Sequence, residues 1–129
     1  MGKYAYLTLL ILMIGLTCGF NWGLGSAENC TDAKKLATAL AVLTTEKRTS
    51  QEERIMKLCP EGASGHFVKG LRLERQGKAP EAIDEYRAAI EEDYDILPEA
   101  HGNLGLLLLN KGERDKAAVE LTKGLLGRA

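Results

Sequence analysis

A chain of 129 residues that is 45% hydrophobic, with a formal charge of −1, allows one small domain plus a targeting segment. The near-neutral charge, with no basic run interleaved by aromatics, gives no electrostatic footing for nucleic acid. Aromatic residues are only 5%, which suits an Ala/Leu-rich helical assembly better than a β-sandwich.

Residues 1–27 stand apart in composition. Lys3 supplies one positive charge, and residues 4–20 carry none at all. Gly25-Ser26-Ala27 then places small residues where a signal peptidase wants them, just before the polar Glu28-Asn29. The segment reads as a cleaved export signal, which puts the protein in the periplasm, the cell envelope or a secretory compartment. The alternative is an uncleaved membrane anchor through residues 4–20, because that run approaches the ~17–25 residues that span a bilayer. Leu16-Thr17-Cys18 is a poor lipidation signal, since Thr17 is larger than such a site usually takes.

Residues 28–62 predict a degenerate helical hairpin. Thr31-Asp32 can cap a helix whose apolar positions are Ala33, Leu36, Ala37, Leu40 and Leu43. Ser50-Gln51-Glu52-Glu53 has the form of a capping box opening a second helix through Ile55, Met56 and Leu58, and Pro60 stops it. Cys30 and Cys59 are the two cysteines left after the export signal, an even count that in an oxidising compartment favours a disulfide. With Cys30 at the start of one helix and Cys59 at the end of the next, an antiparallel hairpin makes them neighbours.

Residues 63–129 repeat once with a period of 35, as residues 63–97 and 98–129. Gly70, Leu73, Gly77, Ala82 and Ile90 recur as Gly105, Leu108, Gly112, Ala117 and Leu125, and His66 recurs as His101. Self-similarity at this period marks a stacked array of supersecondary units. In the first copy Phe67, Gly70, Leu71 and Leu73 are helically spaced, Gly77 suits a helix C-terminus, and Pro80 suits a first turn. Ala82, Ile83, Tyr86, Ala89 and Ile90 then form a second apolar stripe. In the second copy Pro98 starts a helix containing Leu104, Gly105 and Leu108, and after Gly112 a further helix carries Ala117, Leu121 and Leu125.

On Gly70, Leu73, Gly77, Ala82, Tyr86, Ala89 and Ile90, then Ala100, Asn103, Leu104, Gly105, Leu108, Gly112, Ala117, Leu121 and Leu125, the chain resembles the tetratricopeptide repeat family. The resemblance implies an all-α fold, a right-handed superhelical array of about three helix-turn-helix hairpins. It also implies a concave side lined by the first helix of each hairpin. The positions facing it are Ser64, Phe67, Leu71 and Glu74, then Glu99, Gly102, Asn103, Leu106 and Leu109. Members that grip a C-terminal carboxylate use Lys and Asn there. Only Asn103 matches, which disfavours a carboxylate clamp.

Chemistry finds little foothold. His66 and His101 are equivalent packing positions held about a helix diameter, ~10 Å, apart. The cysteines lack zinc-ligand and redox-motif spacing, so no metal, cofactor or catalytic residue is expected. Glu81, Asp84, Glu85, Glu91, Glu92, Asp93 and Asp95 read as a solvated outer face and its loop. Asn29-Cys30-Thr31 is a glycosylation acceptor in form only, if Cys30 is bridged.

These residues predict a non-catalytic interaction module that binds a protein or peptide through Phe67, Leu71, Glu74, Asn103, Leu106 and Leu109. A structural subunit that stacks into a larger assembly is the alternative. No helix is expected after Leu125-Leu126. The stripe Ala117, Ala118, Leu121, Leu125 and Leu126 is therefore only partly covered, and a homodimer through the C-terminal hairpin is the expected closure.

Overall fold

The computed structural model describes residues 22–93 and 97–127. Six α-helices fill them: α1 (Trp22–Thr38), α2 (Thr45–Leu58), α3 (Ala63–Arg75), α4 (Ala79–Glu92), α5 (Pro98–Asn110) and α6 (Arg114–Leu126). A 3-10 turn, Leu40–Val42, follows α1. Consecutive pairs form three hairpins, and α4 packing on α5 joins the second to the third. The first hairpin is bound to the rest by α3, which receives both α1 and α2.

The two repeat hairpins turn by one mechanism. Gly77 has φ +73° and Gly112 φ +88°, a region from which a Cβ excludes most residues. At the first turn the Lys78 N–H donates to the Leu73 carbonyl (2.9 Å) and the Gly77 N–H to that of Glu74 (3.0 Å). Glu113 to Leu108 and Gly112 to Leu109 repeat this 35 residues later at 2.9 and 3.0 Å. This double bond satisfies carbonyls that a helix end leaves open. Pro80 lies in the first turn of α4 and Pro98 begins α5.

Within each hairpin, one large side chain lies on one glycine. A Cβ on Gly70 would come within 2.6 Å of the Tyr86 ring, and one on Gly105 within 2.7 Å of Leu121. Tyr86 is fully buried and its ring stands 6.0 Å from that of Phe67. The continuous core runs through Ala33, Ala37, Leu40, Ile55, Phe67, Val68, Ile83, Tyr86, Leu97, Leu104 and Leu108.

The first hairpin departs from expectation at both helix starts. No proline lies between Trp22 and Asp32, and α1 continues upstream to Trp22. Thr31-Asp32 therefore sits inside it, where Asp32 accepts from Lys35 (3.1 Å). Gly25-Ser26-Ala27 also lies within α1, whereas residues 1–21, most of the segment read as signal or anchor, lie outside the described residues. Among the described residues no helix is long and apolar enough to cross a membrane.

The second helix, α2, begins at Thr45 after an extended Thr44, so Ser50-Gln51-Glu52-Glu53 is interior and no capping box forms. Glu52 is diverted to another task. Only 1% exposed, it accepts from Arg75 through both oxygens (Nη1–Oε1 3.0 Å, Nη2–Oε2 2.7 Å) and from Arg72 Nε (3.3 Å). That cluster ties α2 to the far end of α3. Cys30 and Cys59 are joined, with their Cα atoms 5.0 Å apart, and the bridge ties the middle of α1 to the end of α2.

Candidate interaction surface

The end of α1 with the turn after it, the start of α2, the middle of α3 and the start of α5 frame a groove of about 240 Å³. Leu40, Phe67, Leu71 and Leu97 supply its apolar wall; Arg48, Glu99 and Asn103 line it as well. Phe67 is buried and forms wall rather than contact surface, whereas Leu71 is half-buried. Leu106, one helical turn along α5 from Asn103, is 53% exposed and Leu109 is 46% exposed. Ser64 is buried, and Glu99, Gly102 and Asn103 are half-buried.

Exposed Glu74 and half-buried Asn103 both hydrogen-bond within the protein. Tyr86 Oη donates to Glu74 Oε2 (2.7 Å) and accepts from Asn103 Nδ2 (3.2 Å). Burial, followed by the neighbouring Glu74 carboxylate, pushes the phenol well above its ordinary value, so it stays a donor. This chain links the two repeats across the seam and occupies the amide that a carboxylate clamp would use. Leu97 and Arg48 escape sequence inspection because they lie in the link before Pro98 and in the degenerate hairpin, outside the repeat landmarks; Leu40 is legible there only as a core position of the first helix.

A second, larger opening of about 580 Å³ lies between α4, α5 and α6, lined by Ile90, Leu104, Leu108 and Val119 with Arg87, Glu91, Lys116 and Glu120 around them. Comparison of positions 35 apart shows its signal: Leu104 corresponds to Lys69, and Val119 to Asp84. On α6, Val119, Leu125 and Leu126 are 53%, 69% and 70% exposed.

The histidines have partners that the repeat period reveals only in retrospect. His66 Nδ1 meets Glu85 Oε2 at 2.7 Å, and His101 Nδ1 meets Glu120 Oε2 at 2.6 Å, a spacing of 19 residues both times. Glu85 is thus a half-buried hydrogen-bond partner, not part of a solvated face. An ionised carboxylate only accepts, so Nδ1 donates in each pair. No group of metal-ligating side chains is assembled among the described residues.

A tetratricopeptide repeat family model matches twice, over residues 22–95 and 67–129. The chain belongs to the tetratricopeptide repeat family. No curated protein matches it. Tetratricopeptide repeats generally mediate protein–protein interaction and are typically non-catalytic. The first match takes in the degenerate hairpin, so the disulfide-bearing segment shares the family pattern with the two clear repeats.

In the second repeat, burial opposes ionisation of Glu120, but hydrogen bonds from His101 and Lys123 outweigh it and hold the carboxyl below its ordinary value of 4.5. With the folded value below the unfolded one, the contribution is complete above about pH 4.5 and is lost as pH falls through the folded value. Wild type should therefore lose stability relative to Glu120→Gln as the pH is lowered from 6 into this acid range. Urea titrations across the range check it; parallel curves would contradict it.

Proposed function

We propose that this protein is a non-catalytic interaction module of the cell envelope or a secretory compartment that holds a protein or peptide segment along its concave face. The observation that carries the reading is the exposure of Leu106 and Leu109 beside an apolar groove walled by Phe67 and Leu71. Exposed apolar surface of this kind marks an interaction site, and a groove between helices suits an amphipathic helix or an extended segment. The Cys30–Cys59 bridge supports export, since such bonds persist in oxidising compartments. Leu106→Glu places a charge on exposed surface with little effect on the fold, and should abolish recovery of the native partner in a pull-down. Undiminished recovery would sink the reading.

A second reading, self-association through the C-terminal hairpin, is favoured by one observation: Val119 and Leu126, seven residues apart on one stripe of α6, stand exposed, with Leu125 exposed next to Leu126. A two-fold pairing of that helix covers them in closed form. Sedimentation at micromolar concentration is then expected to show a dimer, shifted towards monomer by Leu126→Lys. A wild-type monomer throughout that range would remove this reading.

A further inference from the structure

The groove over Phe67 contains an unanswered charge. Two arginines are half-buried among the described residues, Arg72 and Arg48. Arg72 faces Glu52, whereas Arg48 makes no ion pair among the described residues and its buried Nε has no hydrogen-bond partner. A buried donor without an acceptor costs free energy, and a partly buried cation calls for an anion. Arg48 lies at the start of α2, and its side chain lines the slot formed by Leu40, Phe67, Leu71 and Leu97.

The slot's size limits what enters. Small-molecule sites run to ~300–1,000 Å³, and about 240 Å³ holds one or two side chains. Glu99 lines the slot from α5, so an incoming carboxylate is confined to the Arg48 end. Asn103 gives one amide N–H to Tyr86, and Arg48 is the only cation among the residues lining the slot.

We propose that this slot is a specificity pocket that takes one large apolar side chain of a partner segment, whose adjacent acidic side chain pairs with Arg48. The inference rests on the concave-face reading and names the chemistry of its partner. The pocket sits where the degenerate hairpin meets the two clear repeats, so that hairpin supplies the anchor.

Labelled, C-terminally amidated peptides in a Gly/Ser host test it, carrying Leu-Glu, Leu-Gln or Ala-Glu at the centre. Wild type should bind Leu-Glu about tenfold or more tightly than Leu-Gln, the worth of a charge-assisted hydrogen bond. Arg48→Gln should level the two, with its helical circular dichroism unchanged, and Arg48→Lys should restore part of the difference. Ala41→Trp, at an exposed position on the rim, should weaken every Leu-bearing peptide and leave Ala-Glu equally weak. A Leu-Gln peptide with a free C-terminus that matches amidated Leu-Glu would show that the terminus supplies the anion, and would overturn the side-chain assignment. Equal binding of Leu-Glu and Leu-Gln by wild type, a preference that survives Arg48→Gln, or no binding at millimolar peptide would each overturn the pocket. Loss of the native partner on Leu106→Glu alongside any of these leaves the concave-face reading standing, and full recovery defeats both.

Discussion

Changing Arg72 and Arg75 together to Met is expected to destabilise the fold by about 3–5 kcal/mol, the cost of stranding a buried charge. Glu52 is 1% exposed and all three of its described hydrogen bonds come from those two guanidinium groups. The opposite change should be mild. Arg72 and Arg75 side chains are 36% and 52% exposed, so in Glu52→Leu they turn to water while Leu fills an apolar site. Replacing a buried ion pair by packed apolar residues is commonly close to neutral. Urea unfolding of the three proteins checks the asymmetry. Equal losses would mean that the cluster acts through its packing, not through the carboxylate it shelters.

Removing the disulfide by Cys30→Ala with Cys59→Ala should cost about 3–4 kcal/mol, from the entropy of a loop with a sequence separation of 29. The effect should be local as well as large. The first hairpin buries mainly small residues, Ala33 and Ala37, with Leu40 and Ile55, and lacks the glycine-seated aromatic that locks α3 to α4. Hydrogen exchange should therefore rise in α1 and α2 before it rises in α3 to α6. Intact mass after alkylation without reductant gives the companion result, no free thiol at Cys30 or Cys59. Two alkylated cysteines in protein from an oxidising compartment, or unchanged stability in the double variant, would contradict the role assigned to the bridge.

What could be foreseen from sequence follows from how each feature is encoded. The hairpins of residues 63–126 were legible because local chemistry repeats: glycine at φ +73° and +88°, proline in the first turn of α4 and α5, and small residues under Tyr86 and Leu121. Each signal lies within one unit and appears twice. The disulfide was legible for a related reason, since parity and hairpin topology both pointed to it. Helix starts in the first hairpin were not. Ser50 to Glu53 satisfies the local pattern of a cap, but Arg72 and Arg75 lie about 20 residues on, and their claim on Glu52 is a tertiary one.

The candidate interaction surface divides along the same line. Leu106 and Leu109 are exposed at the positions that the repeat assigns to the inner face, and Phe67 and Leu71 wall the groove. Glu74 and Asn103 fall at inner-face positions too, but the Tyr86 hydroxyl between them draws both into an internal hydrogen-bond chain. A hydroxyl seeking a donor and an acceptor at the seam between repeats leaves no mark in helical periodicity. Nor does Arg48, whose significance comes from a buried Nε without a hydrogen-bond partner.

Site-specific photo-crosslinking in the native compartment decides which face meets a partner. A photoreactive residue is placed at Leu106 or Leu109 on the concave side, and at Val119 or Leu125 on α6. An adduct with a different protein is expected from positions 106 and 109. Heterologous adducts from 119 and 125 alone, with 106 and 109 silent, would contradict the concave-face reading.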